Sequence, residues 1–405
     1  MRVILVALLG LGLAAAASAA PSNAEDPVAR GRYLVTAADC QPCHTKEGGV
    51  PFAGGRSIET PFGLLYSANI TPDPDHGIGH WTPDQFYRAL HEGIDDEGHH
   101  LYPAFPYNYF TRMPRADTDA ILAYLKTLPA SAELPPRNAL KWPFSMRWLM
   151  TGWNLLFLKK DEFKPDQTQS AEWNRGAYLV EVVGHCGACH TPMGHFGEPD
   201  MDHYLQGGHF DDYVAPDLTT NRRTGLGSWN EDDIVAFLKN GRNKRGNASA
   251  EMGEVVEHST SKLTDADLKA IATYLQSIHP SPEAQPKVPA EEQIRLGQAI
   301  YDDTCSACHE TKADGVPNLF PPLAGSAEVQ QDDPATLVHV ILAGTRTAAT
   351  DKVPTASSMP AYDWKLSDEQ IAAVATYIRS AWGNRARAVT SEEVGKMRAK
   401  VGHKD

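Results

Sequence analysis

Three short runs of the sequence place two cysteines and one histidine at the same spacing. Each run reads Cys-x-x-Cys-His. This spacing is typical of covalent haem c attachment, in which two thiols bond to the vinyl groups of the porphyrin and the histidine ligates the iron. The predicted attachment residues are Cys40, Cys43, His44, Cys186, Cys189, His190, Cys305, Cys308 and His309. The sequence therefore predicts three covalently bound haem c groups.

Other uses of cysteine fit this pattern poorly. The six cysteines of the chain are all taken up by the three motifs, so none is left for a disulfide bond. A zinc site would need two cysteine pairs to converge, and a thioredoxin-like redox pair has no need of the histidine that follows.

The elements around the motifs repeat as a unit of three helices. A helical run that opens on Gly31, Gly176 or Gly297 precedes each motif. A second amphipathic helix follows and ends at a glycine, as helices often do. A third helix carries an apolar stripe and closes the unit. The second helices are predicted over 81–93, 229–241 and 334–344, and the third over 116–125, 264–275 and 367–378. Strand patterns are almost absent.

This three-helix unit, with its motif after the first helix, resembles the class I cytochrome c domain. The resemblance implies an all-α fold of three tandem class I cytochrome c domains. We place unit 1 at 24–134, unit 2 at 170–280 and unit 3 at 290–383. A linker occupies 135–169, a proline-rich spacer 281–289, and a polar tail 384–405.

The resemblance also implies a methionine on the open face of each haem, in the loop before the last helix, where its thioether binds iron. Met252 and Met359 occupy that loop and are the predicted ligands in units 2 and 3. Unit 1 is different, because alignment of the last helices places Met113 at the position of Leu263 and Leu366. The candidates for the first iron stay open: Met113, His99, His100 or no protein residue.

Three further strings carry a closer resemblance. They are Asn69-Ile70-Thr71-Pro72-Asp73, Leu101-Tyr102-Pro103-Ala104 and the run from Ser170 to Val180. With the three motifs, the chain resembles the tri-haem cytochrome c subunits of periplasmic, membrane-associated dehydrogenases that oxidise alcohols, gluconate, fructose, aldehydes or N-heterocycles. Many members of that family have methionine where Phe105 stands.

This resemblance implies an electron-transfer subunit with no catalytic residues of its own. A catalytic dehydrogenase subunit, which is a quinoprotein, a flavoprotein or a molybdenum hydroxylase, would pass single electrons to this chain. The acceptor would be ubiquinone or a terminal oxidase. The alternative is a haem enzyme in which an open first haem acts on peroxide or another small ligand.

Charge and the first residues bear on partners and location. The formal net charge is −14, from 37 basic and 51 acidic residues, which argues against nucleic acid as a partner. Residues 1–19 read as a signal peptide with a charged start, an apolar stretch and the cleavage pattern Ala17-Ser18-Ala19. We therefore expect an exported protein, and the resemblance to subunits of periplasmic, membrane-associated dehydrogenases implies the periplasm, at the outer face of the inner membrane.

The linker contains a strongly apolar stretch at 148–158, followed by Lys159 and Lys160. Eleven residues are too few to span a bilayer, which takes about 20, so any membrane association is expected to be peripheral. Three roles stay open for this stretch: it contacts the catalytic subunit, it lies on the membrane surface, or it packs across the first two domains.

Overall fold

The computed structural model describes residues 26–210, 212–283 and 290–402. The predicted signal peptide at 1–19 lies outside the described residues. Unit 1 contains the helices α1 (Pro27–Ala37), α2 (Cys40–Cys43), α3 (Pro83–Glu92), α4 (Tyr107–Phe110) and α5 (Arg115–Leu125), and the linker contains α6 (Leu149–Phe157). Unit 2 contains α7 (Ala171–Tyr178), α8 (Gly187–His190), α9 (Glu231–Asn240), α10 (Ala250–His258) and α11 (Asp265–Leu275). Unit 3 contains α12 (Glu291–Thr304), α13 (Ser306–His309), α14 (Ala335–Ala343) and α15 (Asp368–Ser380), and α16 (Ser391–Val401) follows it.

The chain is helical, as predicted, and also holds short strands that the sequence pattern did not indicate. They are β1 (Ser57–Thr60), β2 (Gly63–Tyr66), β3 (Ala139–Leu140), β4 (Gly208–Phe210), β5 (Tyr213–Ala215), β6 (Thr345–Arg346) and β7 (Ser358–Met359). They form the antiparallel sheets β1-β2-β3, β4-β5 and β6-β7. With two to four residues each, they are too short to show the alternation of apolar and polar residues by which a strand is predicted.

The first and last helices of each unit cross at the predicted glycine. A Cβ atom placed on Gly31, Gly176 or Gly297 would lie 1.9, 1.9 or 2.1 Å from a backbone carbonyl oxygen of the last helix. Those oxygens belong to Ala120, Ala270 and Ala373. Only a residue without a side chain permits this approach, so the glycine sets how closely the two helices pack. The same crossing therefore recurs in units 1, 2 and 3.

A local change of helix type accommodates an additional residue in unit 2. The chain from Gly176 to Cys186 is one residue longer than the chain from Gly31 to Cys40. A π-helical turn over Leu179–Val183 follows α7 in unit 2. Because a π-turn holds one residue more than an α-turn, the cysteine motif keeps its place relative to the helix crossing.

Units 1 and 2 share a single apolar core. One continuous cluster includes Leu34 and Ile121 from unit 1 together with Val180 and Leu268 from unit 2. Unit 3 has its own cluster, and α16 contributes to it through the buried side chains of Val394 and Met397. The predicted polar tail thus includes a helix that packs on unit 3.

No helix in the described ranges is both long enough and apolar enough to cross a membrane.

Candidate haem-attachment sites

The histidines of the three motifs are held in the same way. The Nδ1 atom of His44 lies 2.7 Å from the carbonyl oxygen of Ala68, and that of His190 lies 2.7 Å from the carbonyl oxygen of Pro216. The corresponding distance from His309 to Pro321 is 3.0 Å. An Nδ1–H group that donates to a carbonyl fixes the tautomer and the ring orientation, so Nε2 is the nitrogen left to ligate a metal. This is the arrangement that an iron-ligating histidine needs.

Burial also selects the protonation state of these histidines. Desolvation lowers the pKa of His44, His190 and His309, although the bond to the carbonyl oxygen acts in the opposite direction. A lower pKa favours the neutral imidazole at neutral pH, and the neutral ring is the form that binds iron.

The buried motif cysteines fit thioether attachment better than thiolate chemistry. None of them forms a disulfide bond. Burial raises the pKa of Cys186 and Cys305 to about 11 and that of Cys189 to about 12. Reactive redox cysteines have lowered pKa values instead. Across the described ranges, no three histidine, cysteine or acidic side chains converge as a metal ion would require.

The two predicted methionine ligands lie on different elements. Met252 lies in the first turn of α10 and packs beside Ala248 and Val256. Met359 ends β7, where it pairs with Thr345 directly after the end of α14, and it packs against the core of unit 3.

The three candidates for the first iron lie in different environments. Met113 is fully buried in the shared core. The His99 side chain is mostly exposed, with its Nδ1 atom 3.3 Å from a carboxylate oxygen of Glu97. The Nε2 atom of His100 lies 2.8 Å from Oγ1 of Thr151 on the linker helix α6.

The attachment segments of units 1 and 2 are in contact. The Nε2 atom of His185, which precedes Cys186, lies 3.3 Å from the carbonyl oxygen of Ala38, two residues before Cys40. The ring of His185 also contacts Phe110 of unit 1 at a centroid distance of 5.3 Å. These contacts bring the first two candidate haem sites next to each other.

Sequence reasoning missed the residues that hold units 1 and 2 together. The hydroxyl of Tyr33 donates to Asp267 and that of Tyr178 donates to Asp117, each at 2.5 Å. A signal was present, because both first helices contain Arg-Gly-x-Tyr, at Arg30–Tyr33 and Arg175–Tyr178, whereas unit 3 has Leu296-Gly297-Gln298-Ala299.

The three sites therefore fit covalent haem c. The cysteines would hold the porphyrin edge, and His44, His190 and His309 would ligate iron from one side. Haem c bound there would supply one-electron oxidation and reduction. The protein's part is to fix the ring of each histidine and to keep it neutral.

Comparison with known proteins agrees with this chemistry. The cytochrome c family profile matches residues 174–279 and 294–382. The chain is 38% identical over 416 residues to the gluconate 2-dehydrogenase cytochrome c subunit of Pantoea cypripedii, which covers 96% of this chain and 94% of that protein. It is 38% identical over 418 residues to the alcohol dehydrogenase (quinone) cytochrome c subunit of Gluconobacter oxydans, and the aligned region covers 97% of this chain and 87% of that protein. A nicotinate dehydrogenase subunit from Pseudomonas putida is 42% identical over 361 residues, which covers 86% of this chain and 30% of that protein. The chain belongs to the family of cytochrome c subunits of dehydrogenases.

Proposed function

We propose that this chain carries three covalent haem c groups and passes single electrons from a catalytic dehydrogenase subunit to ubiquinone or a terminal oxidase. The observation that carries the proposal is the threefold recurrence of one arrangement. Each Cys-x-x-Cys-His motif follows the first helix of a unit, and each histidine donates to a backbone carbonyl group. A site built in this way orients a histidine as an iron ligand.

This recurrence supports a count of three domains and three haems. The helix crossings at Gly31, Gly176 and Gly297 support one cytochrome c domain in each of units 1, 2 and 3. In units 2 and 3 we assign Met252 and Met359 as the second axial ligands of iron. A haem with histidine on one side and methionine on the other is suited to electron transfer, because no position at the iron is left for a substrate.

The relatives' names support a catalytic dehydrogenase as the electron donor. They are described as cytochrome subunits of gluconate and alcohol dehydrogenases and as a subunit of a nicotinate dehydrogenase. The substrates differ, while the cytochrome portion is similar. The partner subunit therefore determines the substrate, and this chain supplies the electron path.

We place the protein in the periplasm, at the outer face of the inner membrane. The signal-peptide pattern at 1–19 supports export, and covalent haem attachment in bacteria takes place outside the cytoplasm. The exposed face of α6 supports peripheral contact with lipid. Trp148 and Leu155, seven residues apart, lie on the same side of this helix and are 66% and 86% exposed. Trp153 on the opposite side is buried and donates from Nε1 to the carbonyl oxygen of Phe196.

Charge complementarity favours an anionic lipid surface for this face. Residues 137–164 contain six lysines or arginines and two acidic residues, in a chain whose net charge is −14. Arg147 and Lys160 are held against unit 1 by Asp95 and Glu92. Other basic residues are exposed before and after α6 in the sequence, at Arg137, Lys141 and Lys159. Exposed tryptophan and leucine flanked by basic residues are typical of helices that lie in the membrane interface.

The experiment is a haem count followed by reduction in the intact complex. The purified chain is denatured and its covalently bound haem is measured against protein, with an expected ratio of three. The double variant Cys305→Ser, Cys308→Ser is expected to keep two haems. In the isolated complex, the substrate of the catalytic subunit should reduce the haems of this chain. Reduction of the catalytic cofactor without any reduction of haem would refute the relay.

A further inference from the structure

We propose that the iron of the first haem has no sixth ligand from the protein and is open to a small neutral diatomic molecule, because Phe105 stands where Met252 stands in unit 2. The inference rests on the proposed function in one respect, since it needs a haem at Cys40, Cys43 and His44.

The register between units 1 and 2 is set by a matched hydrogen bond. The helices α3 and α9 end at Gly93 and Gly241, which both have left-handed backbone conformations with φ of 61° and 72°. The N–H group of Leu101 donates to the carbonyl oxygen of Gly93, and that of Ala248 donates to the carbonyl oxygen of Gly241, each at 2.7 Å. Leu101 and Ala248 are therefore equivalent residues.

Four residues further along in each unit are Phe105 in unit 1 and Met252 in unit 2. Phe105 packs against the shared core of units 1 and 2. Met252 is the ligand assigned to the second iron. A phenyl ring has no atom that can bind iron, so the substitution removes the ligand and leaves an apolar side chain in its place.

The surroundings of Phe105 are also aromatic. Its ring centroid lies 5.7 Å from that of Phe110 and 6.5 Å from that of Tyr107. The Tyr107 hydroxyl is directed to Asn154 on the linker helix, where it donates to Oδ1 at 2.7 Å. An anion would lose its hydration beside these rings without compensation, whereas carbon monoxide or nitric oxide would not.

Met113 has a structural role that its counterparts share. Its carbonyl oxygen accepts a hydrogen bond from Nε2 of His91 at 2.7 Å. The corresponding carbonyl oxygens belong to Leu263 and Leu366, and they accept from lysine and arginine side chains at 2.7 and 2.8 Å. Met113, Leu263 and Leu366 are all buried. Met113 is thus the apolar residue ahead of the last helix.

The histidines of this loop are engaged elsewhere. His99 faces solvent beside Asp95 and Glu97. His100 is the stronger competitor, because its pairing with Ile94 directly after Gly93 corresponds to the pairing of Met359 with Thr345 in unit 3. Its Nε2 atom, however, lies 2.8 Å from Thr151 Oγ1, while its Nδ1 atom is buried without a hydrogen-bond partner among the residues that the structure describes. Ligation by His100 Nε2 would break the contact with α6.

The test counts ligands spectroscopically in the full-length protein with all its haems. The near-infrared methionine-to-iron band of the ferric protein should correspond to two methionine-ligated irons per chain. The reduced protein should bind one carbon monoxide per chain. The variant Phe105→Met should raise the methionine-ligated count to three and abolish carbon monoxide binding. Met252→Phe should lower that count to one and raise carbon monoxide binding to two per chain.

Two further variants keep the result interpretable. Phe105→Leu removes the ring without adding sulfur and should still bind one carbon monoxide, so it is the matched control for Phe105→Met. If the native protein binds no carbon monoxide and His100→Ala creates a site, His100 is the ligand and the inference is wrong. Three methionine-ligated irons in the native protein would also overturn it. The haem count of the same samples reports separately on the proposed function.

Discussion

The phenol of Tyr178 in α7 donates its proton to Oδ2 of Asp117 in α5 at 2.5 Å, so that a helix of unit 2 is bound to a helix of unit 1 through two buried side chains. The reciprocal contact joins Tyr33 in α1 to Oδ2 of Asp267 in α11, also at 2.5 Å. In each unit, a tyrosine of the first helix therefore donates a hydrogen bond to an aspartate in the last helix of the other unit. The interface between units 1 and 2 thus contains the same tyrosine–aspartate hydrogen bond twice, once in each direction, and we call this pair of contacts the reciprocal exchange.

Each carboxylate in this exchange is also bound by an arginine of its own unit. Arg30 donates from Nε to Oδ1 of Asp117 at 2.8 Å, and Arg175 donates from Nε to Oδ1 of Asp267 at 2.8 Å. The two arginine–aspartate pairs bind first helix to last helix within each unit, and the tyrosines connect the pairs across the interface. The interface thus depends on the same residues that hold each unit together.

We expect Tyr33→Phe to lower the free energy of unfolding by about 1.5 kcal/mol, the usual contribution of a hydrogen bond to a charged group. Tyr33→Phe and Asp267→Asn should be non-additive in chemical denaturation, because they remove the same contact. Tyr33→Phe and Asp117→Asn are the control pair, and their effects should add within about 0.5 kcal/mol. Equal coupling in both pairs would contradict the reciprocal exchange.

The same carboxylate predicts how stability depends on pH. Burial alone would raise the pKa of Asp267, but hydrogen bonds from Arg175 and Tyr33 outweigh it and lower the pKa below the usual value. A carboxyl group with a lowered pKa stabilises the fold above its unfolded pKa of about 3.9, and this contribution is lost as pH falls through the folded value. Asp267→Asn should therefore lose less stability than the native protein between about pH 5 and pH 2.

The control for that measurement is Asp75→Asn, which changes an exposed carboxylate in a loop of unit 1. Its stability should follow the native pH profile. If Asp75→Asn and Asp267→Asn flatten the acid limb of the profile equally, the acid sensitivity arises from net charge and the Asp267 contacts do not cause it.

Local patterns in the sequence predicted the repeating parts of the structure. The helix ends at Gly93, Gly241 and Gly344 and the helix crossings depend on residues that are close in sequence or recur in each unit. The spacing of Cys-x-x-Cys-His likewise predicts the attachment residues, and the histidine of each motif lies beside a backbone carbonyl oxygen. Helical periodicity and motif spacing are properties of short stretches, so they can be read without knowledge of the fold.

Contacts between units could not be predicted in the same way. Tyr33 and Asp267 are 234 residues apart, and nothing local indicates which acidic residue a tyrosine will contact. The shared core of units 1 and 2 was also unexpected, because an apolar stripe shows that a helix face is buried but leaves the covering element unspecified. The repeated Arg-Gly-x-Tyr string in units 1 and 2 was the one usable signal.

The crossing at Gly176 predicts a large effect of a single methyl group. In Gly176→Ala the new Cβ atom would lie 1.9 Å from the carbonyl oxygen of Ala270, so α7 and α11 must move apart. Overpacking of this kind costs about 1–3 kcal/mol, and a backbone contact cannot relax as a side chain does. We expect a loss of about 3 kcal/mol or more in chemical denaturation.

The matched control is Gly152→Ala in the linker helix, where an added Cβ atom has no neighbour within 4 Å. This variant should gain about 0.5–1 kcal/mol in local helix stability, because alanine is the better helix former. A similar loss of stability in both variants would show that close packing at the crossing is not the cause.

The exposed face of α6 predicts binding to anionic membranes. Leu155→Ser removes an apolar side chain that is 86% exposed, and its partial burial in lipid is worth about 1.4 kcal/mol, or a tenfold change in binding. We expect about tenfold weaker cosedimentation with phosphatidylglycerol vesicles, weak binding to phosphatidylcholine vesicles, and a decrease at high salt because the flanking lysines are screened. Trp148→Ala should weaken binding similarly, whereas Trp364→Ala, which changes a 79% exposed tryptophan of unit 3, should have little effect. If Leu155→Ser binds vesicles normally but no longer remains with the catalytic subunit during purification, the face contacts that subunit and the lipid assignment is wrong.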